Sequence, residues 1–515
     1  MSSTADKPNT DLTGLDRLGK NVAVSWGAYL CVLVVGFLIP RQISDSLGPA
    51  SLGIWDLGWA TVRYLALANV GIGGSVSRYV GLHRAAGDHV ALVQSVTAIS
   101  IIQNIIAAFA MVAAAIAAAL IVHWIELPSA ERATEAFWVL FLLCGSVAVR
   151  MVGNPAGGIL AGCHRTDLQH GINAAMDILL AVLMVTTLSF GGGLISLALV
   201  VFGVSAVVTI FRMVMARIIC PEAAFSFKEW RLKRGLKLLK FGGKSSISVA
   251  PDVLVFQAVT IFLTASAGPA AVAVLARGIA LIRHCELLVR RTATLLVPIT
   301  SSLIGMDKRD EARDMVFNIG GVGLALTLPM MLVLVFFGDV VLQIWMGDGY
   351  ANQQMMWCLV AGTLLPVSQL GTTSVLAGMN AHGKVAIASL ITSSVVLLAG
   401  AAAVEMGFWD WSIISAALLI GASWTLGKGV VIPIFLKLHF GISLVKYTLR
   451  SFVRPALMNV PLAGLMYLAR QQFDADRWVV AAACVAIGGL LTLVIYWALL
   501  LPDSAKRVVR KKLRL

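Results

Sequence analysis

Apolar runs of about 20 residues recur along the whole chain, and each is long enough to cross a hydrocarbon core of ~30 Å. Short polar stretches rich in Gly, Pro, Lys and Arg separate them. The runs are continuously apolar and do not alternate, which predicts helices and not a barrel. The pattern places spans near 22–43, 53–79, 92–122, 135–158, 172–190, 195–216 and 245–265. Seven more follow near 270–300, 316–338, 353–378, 385–407, 412–436, 452–470 and 477–500. The expected fold class is an all-α polytopic membrane protein with about 14 transmembrane helices.

The pattern also repeats. "GPA" stands at 48–50 and again at 268–270. Keeping that offset, Gly58 meets Gly278, Ala60 meets Ala280 and Arg63 meets Arg283. "LAG" at 160–162 and 376–378, and "GK" at 19–20 and 243–244, recur at nearly the same offset. Span 2 thus pairs with span 8, span 4 with span 10 and span 1 with span 7. An even offset of spans predicts two parallel six-helix repeats around a central cavity, with two extra helices at the end. The expected organisation is a tail at 1–19, an N-lobe at 20–217 and a linker at 218–244. A C-lobe at 245–440, a last pair of spans at 441–500 and a basic tail at 501–515 complete it. The linker stretch "FSFKEWRLKRGLKLLKF" mixes aromatic and basic residues, as an interfacial amphipathic helix does.

Composition agrees. Mean hydropathy is +0.88 and only 13% of residues are charged, against roughly a quarter in a soluble domain. The formal net charge of +14 raises the question of nucleic acid, and its distribution answers it. One alternating set of connections, with both tails, holds roughly 27 basic residues, and the other set holds about 4. The charge is therefore a topology signal, helped by anionic membrane lipids. It predicts both termini in the cytoplasm, the inner membrane as location, and no nucleic-acid partner. The polar N-terminus lacks the pattern of a cleavable signal peptide, so the first helix is expected to be the anchor.

Enzyme chemistry is poorly represented, and no catalytic residue is expected. "FGGKSS" at 241–246 resembles the end of a phosphate-binding loop, but Leu238 stands where the motif needs Gly. "GIGG" at 71–74 lies in an apolar span and reads as close helix packing. No HExxH or metal-ligand cluster occurs. The seven cysteines, Cys31, Cys144, Cys163, Cys220, Cys285, Cys358 and Cys484, are scattered without a CxxC and read as small buried hydrophobes. No cofactor or metal is expected.

Charges within the spans carry the information, because ionisable groups in a bilayer are costly and face a cavity or a partner. The basic ones are Arg63, Arg78, Arg150, Arg212, Arg277, Arg283, Arg290, Arg291 and Lys428. Arg78 and Arg212 lie near span ends, where such chains snorkel. The acidic ones are Asp56, Asp177, Asp252 and Glu286, with Glu405 near an outer end. Most informative is "ARGIALIRHCELLVRRTATLLVP" at 276–298. At 100° per residue, Arg283, Glu286 and Arg290 fall within about 60° of one another, with Arg277 and Arg291 on the adjoining quadrant. Half of the helix is charged, and Glu286 cannot neutralise four arginines. Structural ion pairs, with Asp252 or Asp56 as partners, account for part of the set. The cationic surplus points to a hydrated cavity for an anionic ligand. Arg63 and Arg283 each follow the Gly of their GPA by the same interval, on the order of 20 Å into their helices.

The opening "LGKNVAVSWGAYLCVLVVGFLIPRQISDSLGPASLGIW", the span ending "ANVGIGGSVSRYVG", and "GGILAGCHRTD" after span 4 resemble the multidrug/oligosaccharidyl-lipid/polysaccharide (MOP) exporter superfamily. Within it, the chain is most similar to the Wzx-type bacterial polysaccharide flippases. The resemblance covers nearly the whole chain but is diffuse. It implies two lobes with spans 1, 2, 7 and 8 lining the cavity. A cationic substrate site of Arg63, Arg150, Arg277, Arg283, Arg290 and Arg291 would follow. Asp56, Asp252 and Glu286 would be charge partners, with Asp252 or Glu286 the carboxylate for H⁺ or Na⁺ coupling. The implied substrate is an undecaprenyl-diphosphate-linked oligosaccharide of O-antigen, capsule or exopolysaccharide. The implied partners are the polysaccharide polymerase and chain-length machinery. The alternatives are a lipid II flippase and a cation-coupled multidrug exporter of the same superfamily. A membrane polymerase or ligase would need a large outward loop, and none is visible.

Overall fold

The structure, a computed structural model, describes residues 18–67, 72–124, 129–163, 165–294, 306–379, 381–471 and 478–499. Between 295 and 305 it describes 296, 300, 303 and 304. The described residues are helical with short connections, and no strand occurs among them. The chain divides into a first unit, Met1–Ser246, and a second unit, Ile247–Leu515.

The first unit holds α1 (Leu18–Leu47), α2 (Pro49–Leu67), α3 (Ile72–Ala85), α4 (His89–Trp124), α5 (Ala130–Gly162), α6 (Thr166–Ser189) and α7 (Leu194–Ile219). The chain turns from α1 into α2 at Gly48, whose φ of +86° suits glycine. Pro49 follows at the first helical position, where its missing N–H costs nothing. Ser129 caps α5, its Oγ accepting from Arg132 N at 3.2 Å. α5 is the unit's central helix and packs on α2, α3, α4 and α7.

α4 shows how these sequences select a lipid surround. Beyond Asn104 its buried side is small: Ala107, Ala110, Ala114 and Ala118. Its large residues, Ile105, Phe109, Val112, Ile116 and Leu120, point outward, with Phe109 72% exposed. In water that arrangement would waste the hydrophobic effect. In a bilayer it is favourable, because small residues let helices approach closely while the large ones meet lipid tails.

Residues 218–244 are not a separate amphipathic helix. Short 3₁₀ turns at Pro221–Ala223 and Phe227–Glu229 lead into α8 (Leu232–Ala267), which continues straight through 244. The basic face of the linker is the first turns of a longer helix.

The second unit takes up the rest of α8 and holds α9 (Pro269–Thr294), α10 (Arg309–Met346), α11 (Gln353–Ser368), α12 (Leu370–Gly378) and α13 (His382–Glu405). α14 (Ile413–Trp424) passes through a π turn, Thr425–Val430, into α15 (Val431–Phe440). After α16 (Leu444–Thr448), a second π turn leads into α17 (Arg454–Met458), followed by α18 (Val460–Gln471) and α19 (Trp478–Leu499). α10 changes direction at Phe337, which has φ −133° and ψ 16°. The expected span 13 is bent by 43° between α16–α17 and α18.

The internal repeat is visible in detail. Gly268 turns α8 into α9 with φ +81°, and Pro269 follows, as Gly48 and Pro49 do in the first unit. A Cβ on Gly58 would lie 2.6 Å from Leu143 of α5, and one on Gly278 would lie 2.6 Å from Met355 of α11. Paired glycines therefore seat paired helices: α2 on α5, and α9 on α11.

Among the described residues, nine helices are long and apolar enough to cross a membrane, or ten with the bent pair counted as one. α2 and α9 are not in that set. Both carry charge, and α9 holds Arg277, Arg283, Glu286 and Arg290 within two dozen residues. The site's chemistry depresses the hydropathy that marks a span.

Candidate functional site

In the first unit, Asp56 and Arg63 lie two turns apart on one face of α2, half-buried, and their charges interact. Arg150 occupies a different place, a polar cluster shared by α5, α6 and α7. Its Nε donates to Ser205 Oγ at 2.9 Å, and it lies in electrostatic range of Asp177. Arg212 also interacts with Asp177 and donates to Asn173. Arg212 was expected to snorkel. Instead it is half-buried, because α6 offers an amide and a carboxylate at its level. Two guanidinium groups share one carboxylate there, so the cluster keeps a positive surplus. The side chain of Arg78 lies outside the described residues.

In the second unit, the arginines of α9 separate by environment. Arg277 is 5% exposed, and its guanidinium stands 5.8 Å from the ring centroid of Trp345 on α10. Arg283 is half-buried, and its guanidinium lies 4.6 Å from the ring of Phe256 on α8. A guanidinium stacked on an aromatic face is partly desolvated and oriented without being neutralised. Arg290 pairs with Glu286 one turn away. The side chain of Arg291 lies outside the described residues. Glu286 therefore serves Arg290, while Arg277 and Arg283 stand against aromatic rings.

Asp252 pairs with a lysine. It follows Pro251 in α8 and accepts from Lys428 Nζ through both carboxylate oxygens at 2.5 Å. The in-span lysine and the in-span aspartate satisfy each other. Lys428 sits in the π turn between Gly427 and Gly429. A Cβ at Gly427 would overlap Ser393 Oγ, and Gly429 O accepts from Gln369 Nε2 at 2.9 Å. The wide turn is wedged against α11 and α13, which fixes where the lysine starts. π turns often mark functional positions. The flanking glycines of "GKG" were the signal in the sequence, and they show that a charged side chain emerges from tightly packed backbone.

Around this pair lies a cavity of about 320 Å³ within the second unit, with Arg290, Lys428, Asp252 and His382 among its walls. Thr373, Ser374 and Ser389 add hydroxyls. In the first unit a second cavity of about 320 Å³ is bordered by Asn104, Arg217, Phe225 and Phe227. Nearby, Arg84 Nε donates to Glu222 at 2.9 Å and ties α3 to the 3₁₀ turn. Burial pushes the Glu222 carboxyl up. Hydrogen bonds from its own backbone and from Arg84 outweigh that and hold it below the usual carboxyl range.

No protein-family model and no curated protein sequence matches the chain. Solved structures do. The structure of the lipid II flippase MurJ in an inward closed conformation matches with a TM-score of 0.69 at 12% identity, over 96% of this chain and 100% of that one. An inward-facing multidrug resistance MATE transporter of the MOP superfamily matches at 0.62 and 16% identity, over 85% of this chain and 97% of that one. This chain has the fold of a MOP superfamily transporter. A MOP superfamily transporter from Pyrococcus furiosus, described as having a binding pocket of reversed polarity, matches at 0.57 and 15% identity. It covers 86% of this chain and 96% of its own. Identities this low speak for the fold alone. The described structural neighbours are transporters and flippases, and the substrate of this chain has to be argued from its own charges.

Proposed function

We propose that this protein is a flippase that moves an undecaprenyl-diphosphate-linked oligosaccharide, the repeat unit of an O-antigen, capsule or exopolysaccharide, across the bacterial inner membrane by alternating access. The observation that carries the reading is the state of α9. This helix carries four arginines and one glutamate, and Arg277 and Arg283 face the rings of Trp345 and Phe256. Such charges are expensive in a membrane and are repaid by a ligand that brings negative charge. A lipid diphosphate does so, and its tail can stay among lipids while its sugars pass. A cationic drug would be repelled by the same helix, which disfavours the multidrug reading. Sodium is a poor coupling ion here, since both candidate carboxylates, Asp252 and Glu286, already hold a cationic side chain. Proton coupling is the reading adopted.

Proteoliposomes loaded on one side with a fluorescent lipid-linked oligosaccharide test the proposal. The expected result is translocation by the wild type and its loss in Arg283→Ala and Arg63→Ala at equal protein content. Translocation at the wild-type rate in both variants overturns the role of the arginines. A second reading, a lipid II flippase, is supported by the likeness to MurJ at a TM-score of 0.69. Growth of a cell depleted of its own lipid II flippase, restored by this chain, would favour it over the first.

A further inference from the structure

The cavity around Lys428 is not explained by the arginines of α9. It lies within the second unit, and its walls come from α8, α9, α12, α13 and the π turn. We infer that it is a phosphate-binding subsite, in which Asp252 holds Lys428 in place and limits how tightly the anion binds.

The occupied carboxylates weigh against a cation. Arg290 and Lys428 line the wall, and each is paired with a carboxylate, Glu286 or Asp252. A metal ion would add a third positive charge at close range. Its best carboxylate is already taken through both oxygens. Among the described residues, no three His, Cys, Asp or Glu side chains stand together as a metal site.

The donors are also in place. A lysine ammonium has three N–H groups, and Asp252 accepts two of them, so one remains to be shared. Arg290 offers further N–H groups beyond its contact with Glu286. His382 Nδ1 is buried and has no hydrogen-bond partner among the described residues. With the proton on that nitrogen, it becomes a donor with nothing yet to bind. Thr373, Ser374 and Ser389 supply hydroxyls. Several N–H donors and hydroxyls around one volume suit tetrahedral phosphate oxygens. Two sources of phosphate fit, a lipid-linked diphosphate and free phosphate from solution. Only the first source rests on the flippase reading.

Asp252 has two opposed effects. It sets the direction of the Lys428 ammonium, and its own charge repels the incoming phosphate. Removing Asp252 and removing Lys428 should therefore shift anion affinity in opposite directions. A merely structural ion pair would show no such opposition, because losing either partner would weaken the fold in the same way.

The test uses the purified full-length chain in detergent at low salt, titrated calorimetrically with inorganic diphosphate and, in a second arm, with farnesyl diphosphate. Asp252→Asn is expected to tighten diphosphate binding about tenfold, and Lys428→Gln and Arg290→Gln to weaken it about tenfold. The double variant D252N/K428Q, which leaves neither charge alone, guards against misfolding and is expected to bind weakly while melting near the wild type. Binding unchanged in all variants, or shifts of D252N and K428Q in the same direction, overturns the subsite. Free and lipid diphosphate binding equally assigns a free-phosphate site, and much tighter lipid diphosphate assigns the headgroup. Intact diphosphate binding in a chain that fails to flip lipid-linked sugars would remove the flippase reading and leave the subsite standing.

Discussion

Lys428 Nζ meets both carboxylate oxygens of Asp252 at 2.5 Å, joining a π turn between α14 and α15 to the residue after Pro251 in α8. The side chains are 22% and 32% exposed, so neither charge is fully withdrawn from its surroundings. Removing one partner leaves the other half-desolvated and alone. Asp252→Asn or Lys428→Met should each cost about 1–2 kcal/mol, below the 3–5 of a fully buried pair. The double variant should recover most of the loss, as thermal unfolding in detergent would read.

Glycine seats rank the helix contacts. A Cβ at Gly362 would overlap the backbone of Gly421, and one at Gly323 would overlap the carbonyl of Ser368. Backbone cannot rotate away. At Gly58 and Gly278 the obstacle is the end of a flexible side chain, Leu143 or Met355. Gly362→Ala and Gly323→Ala should therefore cost about 3 kcal/mol or more, and Gly58→Ala and Gly278→Ala about 1. Equal losses at all four positions in thermal unfolding would contradict this order.

Arg283 separates charge from shape. Arg283→Lys keeps the positive charge but not the flat guanidinium over Phe256. It should retain part of the translocation that Arg283→Ala loses. Phe256→Leu keeps the arginine but frees its direction, and should slow translocation with little change in protein level. A rate that depends on charge alone, with R283K equal to the wild type, would show that the ring serves only packing.

Ion pairing at Asp252 and Glu286 bears on the driving force. Translocation should be unchanged when choline replaces sodium on both sides, and should fall when a protonophore collapses an imposed pH gradient. A requirement for sodium would move the coupling site away from these two carboxylates.

Glu222 gives a pH dependence outside the spans. Its carboxyl is held below the usual range, so the folded state binds fewer protons there than the unfolded one. Its contribution is complete above the ordinary carboxyl pKa of roughly 4.3 and is lost as pH falls through the lower folded value. Hydrogen exchange in residues 220–230 should accelerate on acidification in that window. Glu222→Gln should show fast exchange at every pH.

Much of the fold is legible in the sequence because lipid imposes a simple rule, a long apolar run for each crossing. The turn between α6 and α7, read from "FGGG", is made by Gly191 at φ +77°. The repeat could be read because its corners need glycine and proline for backbone reasons. What the sequence concealed was pairing at long range. Asp252 and Lys428 are 176 residues apart, and no local pattern connects them. The aromatic partners of Arg277 and Arg283 lie on α10 and α8, where Trp345 and Phe256 look like any lipid-facing ring. Helical-wheel reasoning placed the charges of α9 on one half of its surface, but it could not say which would meet a ring, a carboxylate or a cavity. The linker was misread because a basic amphipathic segment looks the same whether it lies on the membrane or begins a longer helix.

The two corners, Gly48–Pro49 and Gly268–Pro269, share a glycine at positive φ, a following proline and an equivalent glycine seat on a neighbouring helix. Their charges differ. α2 carries one aspartate and one arginine, whereas α9 carries four arginines and one glutamate. The two corners share their backbone geometry while the helices that follow them differ in charge, and the surplus lies on α9. The halves are thus alike as frames and unlike as instruments. Grafting the α2 sequence onto the α9 position should give a protein that still folds and no longer distinguishes an anionic cargo from a neutral one.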